Sequence, residues 1–300
     1  MSTYSIKDLE QLSGIKAHTL RMWEQRYNLM LPKRTDTNIR FYDDEDLKLI
    51  LNVSLLNDNG YKISKIASMS EEEMRGEVLK LTERSLTYDD QIHSLTLAMI
   101  DFDEDRFEKI ISTNTLKLGF ENTMVNIIYP FLSKIGVLWQ TGSINPAQEH
   151  FISSLIRQKI IVAIDGQYVD KKANSVKYML FLPEGELHEM TLLFSYFLIK
   201  SRGNRVIYLG QSMPANDLEE AYKVHRPEYI LTVVTTTPSQ EYVETYLNKL
   251  ASRFESSTLL VSGYQVVGQD LNLAKNIKVL SNLNQLVEIV EDESENRMTG

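Results

Sequence analysis

The chain contains no cysteine among its 300 residues. This absence excludes disulfide bonds, thiolate zinc sites and cysteine nucleophiles, so any metal must be held by histidine, by carboxylate or by a prosthetic group. No stretch approaches the ~18 to 20 consecutive apolar residues that a membrane span requires. The start, MSTYSIKDLE, has neither the basic region nor the apolar core of a signal peptide. We therefore expect a cytoplasmic protein with no membrane partner.

Negative charge prevails over the whole chain but not at its beginning. The net charge is −9, whereas residues 1–41 contain seven Lys or Arg and four Asp or Glu, a net of +3. A small basic end on an acidic body is typical of a protein in which one module meets phosphate and the rest does not. The hydrophobic content of 43% and the length predict two or three domains, each with its own core.

Two short helical runs open the sequence. The first starts at Ser5, a good N-cap residue, and ends at Gly14, with apolar residues at helical spacing: Ile6, Leu9 and Leu12. The second covers residues 18–27 and puts Leu20, Trp23 and Tyr27 on one face, leaving basic and hydroxyl side chains on the other. Two short helices joined by a glycine turn predict a helix-turn-helix. Residues 31–42 follow as two extended arms around a polar turn, which predicts a wing.

Three short stretches in this region resemble the MerR family of winged-helix regulators: Arg21-Met22-Trp23-Glu24, Pro32-Lys33-Arg34 and Arg40-Phe41-Tyr42. The resemblance implies that the second helix lies in a DNA major groove and that the protein is a homo-oligomer, dimer or tetramer, that reads a near-palindromic operator. The residues expected to contact DNA are Lys16, Thr19, Arg21, Arg26, Tyr27, Arg34, Asn38 and Arg40. The alternative is that the arginines form an ordinary solvated face.

The middle of the chain is predicted to be helical throughout. We assign residues 1–72 to the winged helix-turn-helix domain and residues 73–172 to a connecting helix and a bundle. From about 88 to 169 there is no strand alternation and there are few helix breakers before Gly142 and Pro146, which predicts a four-helix bundle.

Trp139 and the adjacent pair Glu149-His150 stand out within this bundle. By themselves, a tryptophan at a helix end indicates core and a Glu-His pair indicates a polar helix start. Their spacing nevertheless resembles the helical domains that sit above cobalamin in sensor proteins, which implies that these three side chains cover the upper face of the cofactor. Light-sensing members have a histidine directly after the tryptophan. Gln140 occupies that position here, so the photochemical adduct of those members is not predicted.

The last part of the chain alternates apolar strand candidates with amphipathic helices. The strand candidates are 178–182, 205–209, 229–234, 259–261 and 277–280. Such alternation predicts a Rossmann-like domain with a parallel five-stranded sheet over residues 175–292. The acidic segment at 293–300, poor in apolar groups, is expected to be a flexible tail.

The loop GELHEMT, residues 185–191, follows the first of these strands, where ligands bind in doubly wound sheets. A histidine there can ligate a metal with one ring nitrogen while a carboxylate holds the other. Glu186 and His188 have the spacing found in the cobalamin-binding Rossmann-like domain, and this resemblance makes His188 the lower cobalt ligand. Read alone, His188 could instead cap the following helix.

Other positions depart from that family's pattern, and each departure adds bulk where the nucleotide tail of cobalamin would pass. Thr191 stands at a family glycine, Thr235 lies in the stretch that replaces a serine motif, and Ser262-Gly263 replaces a glycine pair. With Trp139, Glu149, His150, Glu186 and His188, these four residues complete the predicted cofactor site.

The sequence thus predicts a MerR-type winged-helix transcriptional regulator with a cobalamin-binding-like domain, similar to cobalamin-linked repressors. Cobalamin, for example adenosylcobalamin, or light acting on the bound cofactor, would control its oligomerisation and DNA binding. Two alternatives remain open. The module can be a cofactor-free protein-interaction domain in the same regulator, or the chain can be a subunit of a corrinoid-dependent methyltransferase or mutase. The winged helix argues against an enzyme, since catalysis has no use for it.

Overall fold

The computed structural model describes residues 4–30, 32–35, 38–82, 88–140, 145–167 and 175–296, except the side chains at 11, 75, 79, 80, 82, 137–140 and 293–296. The chain forms two compact units, Met1–Leu155 and Ile156–Gly300. Among the helices in these described ranges, none is long and apolar enough to cross a membrane.

The N-terminal head has the predicted helix-turn-helix and wing. Its elements are α1 (Ile6–Ser13), α2 (Ala17–Tyr27), β1 (Lys33–Arg34), β2 (Arg40–Phe41), α3 (Asp44–Asp58), α4 (Ile63–Ile66) and α5 (Glu71–Thr82). Ser5 and Asp8 form a reciprocal capping box that starts α1, and Gly14, with φ +76°, ends it. The strands β1 and β2 pair antiparallel as the wing, and a bridge from Tyr4 to Tyr42 ties the wing to the start of the chain.

The core of the head is built around Trp23 of α2. This indole is buried with residues from α3, α4 and α5: Val53, Leu55, Leu56, Ile66, Met74, Val78 and Leu81. Helix α5, which the sequence predicts to be a connector, therefore also contributes three side chains to this core. Because the face of α2 that carries Trp23 packs on this core, the opposite face of α2 is left for solvent or DNA.

The bundle follows as helical segments with short connections. They are α6 (Tyr88–Asp101), α7 (Glu104–Leu118), α8 (Phe120–Thr123), a π-helical turn (Met124–Ile128), α9 (Tyr129–Gln140) and α10 (Pro146–Asp165). From α8 to α9 the backbone stays helical, and the amide of Tyr129 donates to the carbonyl of Met124, five residues back. Pro130 explains this widened turn. Proline has no amide hydrogen to donate to an ordinary helical hydrogen bond, and its ring crowds the carbonyl group four residues earlier in the chain. The predicted helical bundle is confirmed.

The second unit is a parallel five-stranded sheet flanked by helices, as predicted. Its elements are β3 (Lys177–Pro183), α11 (Met190–Ser201), β4 (Arg205–Met213), α12 (Ala215–His225), β5 (Tyr229–Val233), α13 (Gln240–Arg253), β6 (Thr258–Ser262), β7 (Ile277–Val279) and α14 (Leu283–Asn296). The strand order is β4-β3-β5-β6-β7, with every neighbouring pair parallel. Alternate residues of β3, β5 and β6 face a core shared with α12 and α13: Met179, Phe181, Ile230, Leu259 and Val261.

The strand order reverses between β3 and β5. The chain passes from β3 outward to β4 and then returns to the other side of β3 to form β5. The loops after β3 and β5 therefore separate in opposite directions and leave a crevice at the carboxyl ends of these two strands. Residues 184–189 and 234–239 form those loops, so the fold places the GELHEMT segment at the switch point, as the sequence predicts.

Gly263, directly after β6, is required by close packing. It has φ +112°, and a β-carbon there would lie 2.3 Å from the carbonyl oxygen of Val234. We expect Gly263→Ala to lower the free energy of unfolding by about 3 kcal/mol, through backbone strain and a clash with main chain that cannot move aside. Urea denaturation followed by circular dichroism measures this loss.

Gly268→Ala is the matched control, because Gly268 also has a positive φ, +76°, but nothing lies within 4 Å of its added β-carbon. It should cost about 1 kcal/mol, from backbone strain alone. Equal losses in the two variants would show that the contact with Val234 is not what requires glycine at 263.

The end of the chain differs in part from the prediction. Helix α14 continues to Asn296, four residues into the segment 293–300 that the sequence predicts to be a flexible tail, and residues 297–300 lie outside the described ranges. The apolar face of α14 explains the extension, since Leu286, Ile289 and Val290 are buried and carry the acidic residues after them into the same helix.

Candidate functional site

A buried carboxylate joins the two loops at the switch point. The side chain of Glu186 is fully buried, and its Oε2 accepts hydrogen bonds from the amides of Thr235 (3.0 Å), Thr236 (2.6 Å) and Thr237 (3.2 Å). The hydroxyl of Thr236 donates to the same carboxylate at 3.2 Å. Successive amides of a turn that converge on one oxygen form a strong anion site, which here is filled by the protein's own side chain.

The other oxygen of Glu186 organises the loop that carries His188. It accepts from the amides of Leu187 (3.0 Å) and His188 (3.1 Å) and lies 2.6 Å from the Nδ1 atom of the His188 ring. Burial alone would raise the pKa of Glu186, but hydrogen bonds from the Thr236 amide and from His188 lower it to about 2. Glu186 is therefore an ionised acceptor at neutral pH.

This geometry fixes the tautomer of His188. An ionised carboxylate can only accept, so the neutral ring must carry its hydrogen on Nδ1 and present the lone pair of Nε2. The His188 side chain is 61% exposed, and Nε2 has no hydrogen-bond partner among the described residues. An exposed imidazole nitrogen held in this way is suited to bind a metal from one side.

The structure does not support the simpler interpretation of His188 as a helix cap. Helix α11 begins after Glu189 and has no side-chain cap hydrogen bond, while the His188 ring is bonded to Glu186. The structure also selects Glu186, rather than a neighbouring carboxylate, as the group that orients His188.

The four residues predicted to line the tail path lie around the ends of β5 and β6 and the start of α11. Thr235 belongs to the turn that holds Glu186. Thr191, in the first turn of α11, is half-buried, and its carbonyl accepts from the hydroxyl of Ser195 at 2.8 Å. The hydroxyl of Ser262 donates to the carbonyl of Leu280 at 2.8 Å, and Gly263 packs against Val234.

The three residues predicted to cover the upper face belong to the first unit. Trp139 lies in the last turn of α9, and its side chain is outside the described part of the structure. Glu149 and His150 lie in the first turn of α10, where Nδ1 of His150 is 3.2 Å from Oε2 of Glu149. The His150 side chain is largely exposed, so this pair is available to a ligand.

The predicted DNA-contacting residues lie on the outer side of the helix-turn-helix and on the wing. Lys16, Arg21, Arg26, Arg34 and Asn38 are exposed, and Thr19, Tyr27 and Arg40 are half-buried. Several are held by other side chains of the head. Lys16 pairs with Glu10 at 3.1 Å, Arg34 donates to Asn38 at 2.7 Å, and Arg40 lies 3.9 Å from Glu24.

The remaining members of this set differ in how they are held. The guanidinium of Arg26 lies over the ring of Tyr27, 5.4 Å from its centroid, and Oγ1 of Thr19 is 3.3 Å from Nε2 of His18. Arg21 makes no hydrogen bond or ion pair with other described residues. Of the predicted contacts on α2, Arg21 is therefore the arginine whose guanidinium is most available to a phosphate or a base edge.

Sequence reasoning missed several contributors to the site. The amides of Thr236 and Thr237 hold Glu186, and Glu189, next to His188, is buried among partners from α10 and β4. The run of threonines just after β5 indicated a polar loop at this edge of the sheet. Nothing in the local sequence shows that the amides of this run converge on a glutamate about 50 residues earlier.

Comparison with known proteins matches the N-terminal head and the helical bundle to two families. Residues 4–73 match the MerR HTH family of regulatory proteins, and residues 91–163 match the B12 binding domain family. Among curated proteins, the chain is 28% identical to the HTH-type transcriptional repressor CarH of Myxococcus xanthus, over 81% of this chain and 83% of that protein. It is 26% identical to the repressor CarA of the same organism, over 94% of this chain and 91% of that one.

A solved structure shares the fold of about two thirds of this chain. The monomethylamine corrinoid protein of Methanosarcina barkeri superposes with a TM-score of 0.55 at 13% identity, covering 69% of this chain and 99% of that one. These findings define a protein that begins with a MerR-type winged helix-turn-helix domain. More particularly, this domain is followed by a B12-binding helical domain and by a domain with the Rossmann-like fold, the combination predicted from the sequence.

Proposed function

We propose that this protein is a sequence-specific DNA-binding transcriptional regulator that senses cobalamin through its helical bundle and Rossmann-like domain. Cobalamin controls its oligomeric state and thereby its DNA binding. The observation that carries the proposal is the His188–Glu186 pair, in which a buried, ionised carboxylate presents an exposed imidazole nitrogen at the switch point of the sheet.

The donor set fits a metal that arrives already held by a ring. His188 offers one nitrogen from one side, and no group of three or more histidine and carboxylate side chains among the described residues could hold a bare ion. Cobalamin would supply a cobalt ion that its own ring already holds, and His188 would be the residue of this chain that ligates it.

The remaining cofactor contacts are proposed residue by residue. His188 is the lower ligand, and Glu186 holds its tautomer and orientation. Trp139, Glu149 and His150 cover the upper face, and Thr191, Thr235, Ser262 and Gly263 border the path of the nucleotide tail. Because cofactor contacts come from the bundle and from the sheet, binding favours a particular packing of the two, and that packing sets the spacing of the DNA-binding heads in an oligomer. No catalytic role is proposed.

Visible absorption tests the cofactor. The full-length protein is mixed in the dark with hydroxocobalamin or adenosylcobalamin, passed through gel filtration and scanned. Corrin absorbance that co-elutes with the protein at about one equivalent is expected, together with a change in elution volume. A colourless protein peak at micromolar cofactor would refute cobalamin sensing and would support the cofactor-free interaction module, which the bulk at Thr191 also favours.

Arg21→Ala tests the DNA-binding half. An operator is first selected from random duplexes with the full-length protein. Arg21→Ala is then expected to weaken binding to it by about tenfold, and the slope of log affinity against log salt should fall by about one if the lost contact is a phosphate. Fluorescence anisotropy at several salt concentrations measures both quantities.

Arg205→Ala is the matched control, because Arg205 is exposed in β4 of the second unit and its loss changes the net charge equally. It should leave affinity and slope unchanged. If both variants weaken binding to the same extent, the effect comes from overall charge and α2 is not the reading helix.

A further inference from the structure

A second buried carboxylate lies on the other side of His188. Glu189 is only 7% exposed, and each of its oxygens has a partner. Oε1 forms an ion pair with Nε of Arg157, and Oε2 accepts from the hydroxyl of Tyr208 at 3.0 Å. Arg157 lies in the part of α10 that belongs to the second unit, and Tyr208 lies in β4. Glu189 thus links the His188 loop to a helix and to an edge strand.

The main chain of Glu189 makes this link rigid. Its carbonyl accepts the first helical hydrogen bond of α11, from the amide of Leu193 at 2.8 Å, and its amide donates to the carbonyl of Leu187 at 2.9 Å. The side-chain amide of Gln211 donates to the same Leu187 carbonyl at 2.8 Å. The position of the Glu189 side chain therefore fixes both the start of α11 and the backbone on either side of His188.

The charges of the network favour one arrangement. A buried carboxylate without a counter-charge is strongly destabilising, and the guanidinium of Arg157 supplies that counter-charge beside Glu189. Burial, and then the neighbouring Glu189, raise the pKa of Tyr208, which keeps its phenol protonated as a donor. Loss of Arg157 would leave the carboxylate without its cation and free the loop to shift toward solvent.

We propose that Arg157 and Tyr208 are positioning residues for the His188 ligand and act through Glu189. This inference rests on the proposed cobalamin site, and it adds the residues that hold the His188 loop in position. Arg157 follows Glu149 and His150, two of the predicted upper-face residues, along the chain within α10.

Arg157→Met tests the proposal in the full-length protein, because methionine keeps an unbranched side chain like the aliphatic part of arginine but lacks the cation. Partners of a metal-ligating histidine typically contribute 10- to 100-fold to metal affinity, so we expect hydroxocobalamin to bind about tenfold more weakly. Tyr208→Phe should weaken binding in the same direction, and Arg157→Lys should restore part of the loss. Gln158→Met, at an exposed neighbouring position on α10, is the matched control and should bind normally.

Two spectroscopic readouts separate positioning from folding. In the reduced cobalt(II) form of protein labelled with 15N-histidine, electron paramagnetic resonance should show a smaller fraction of cobalt with 15N splitting for Arg157→Met than for Gln158→Met. In the cofactor-free protein labelled with 15N-histidine, the His188 ring should show a single Nδ1–H tautomer in the wild type and tautomer averaging in Arg157→Met. Circular dichroism melting confirms that each variant is folded, and Tyr208→Phe replaces Arg157→Met in both readouts if the latter is not.

The outcomes distinguish this inference from the proposed function. If the wild type binds cobalamin through His188 but Arg157→Met and Tyr208→Phe match Gln158→Met in affinity and in both spectra, the positioning role is wrong and the cobalamin site stands. If the wild type retains no corrin, the proposed function fails, and the ring spectrum of the cofactor-free protein still decides whether Arg157 positions His188.

Discussion

Replacing His188 by alanine should remove the imidazole-ligated form of bound cobalamin. The exposed Nε2 atom is the nitrogen that the switch-point loop presents, and the structure holds it there through Glu186. Because alanine has no donor, residual cofactor should keep water or its own base as lower ligand, with a shifted visible spectrum. We expect at least tenfold weaker retention, measured by equilibrium dialysis with absorbance detection.

His225→Ala is the control for this experiment, since His225 is exposed at the end of α12 and lies outside the predicted site. It should retain the wild-type spectrum and affinity. A His188→Ala protein whose spectrum and affinity match those of His225→Ala would show that the switch-point histidine is not the cobalt ligand.

Replacing Glu186 by glutamine should loosen both loops at the switch point. Glutamine has nearly the same shape, but it has lost the charge, and its NH2 group would face amides that need an acceptor. Hydrogen bonds to a charged group contribute about 1.5 to 3 kcal/mol each, so we expect the free energy of unfolding of this domain to fall by about 3 kcal/mol. Hydrogen exchange of the Thr235, Thr236 and Thr237 amides should accelerate accordingly.

Glu184→Gln is the matched control, because Glu184 is exposed in the same loop. It should leave exchange of those amides unchanged. If Glu186→Gln also leaves it unchanged, Glu186 does not hold the 235–237 turn in solution.

Acid should reproduce the effect of this substitution. The pKa of Glu186 is lowered in the folded protein, to about 2 from an ordinary 4.5, so its ionised form stabilises the fold above pH 4.5. That contribution is lost as the pH falls from about 5 to 2, and the lowering of the pKa from 4.5 to about 2 corresponds to roughly 3 kcal/mol. The Glu186→Gln variant should lack this part of the acid dependence in urea denaturation measured across that range.

Much of the fold could be predicted because its signals are local. Ser5 and Gly14 bound α1, and the apolar runs after residue 175 became the five strands. The tail is the exception, since the acidic composition after residue 292 predicts a loose segment whereas α14 continues to Asn296. There, burial of the apolar residues earlier in α14 stabilises the helix, and the acidic residues that follow continue it.

By itself, the sequence predicted a helix-turn-helix around Trp23 and placed His188 at the carboxyl end of a strand. The interpretation of these features as a DNA-reading helix and a cobalt ligand came from motifs that resemble known families. These patterns extend over only a few neighbouring residues, so they can be recognised in the sequence without knowledge of the tertiary structure.

Only the tertiary structure decided how His188 is held. The Glu186 carboxylate is clamped by amides of residues 235–237, and Glu189 is held by Arg157 and Tyr208. These partners lie about 20 to 50 residues away along the chain. They meet because the return from β4 to the far side of β3 brings two loops to one edge of the sheet, and no local pattern specifies which amides or cations will arrive there.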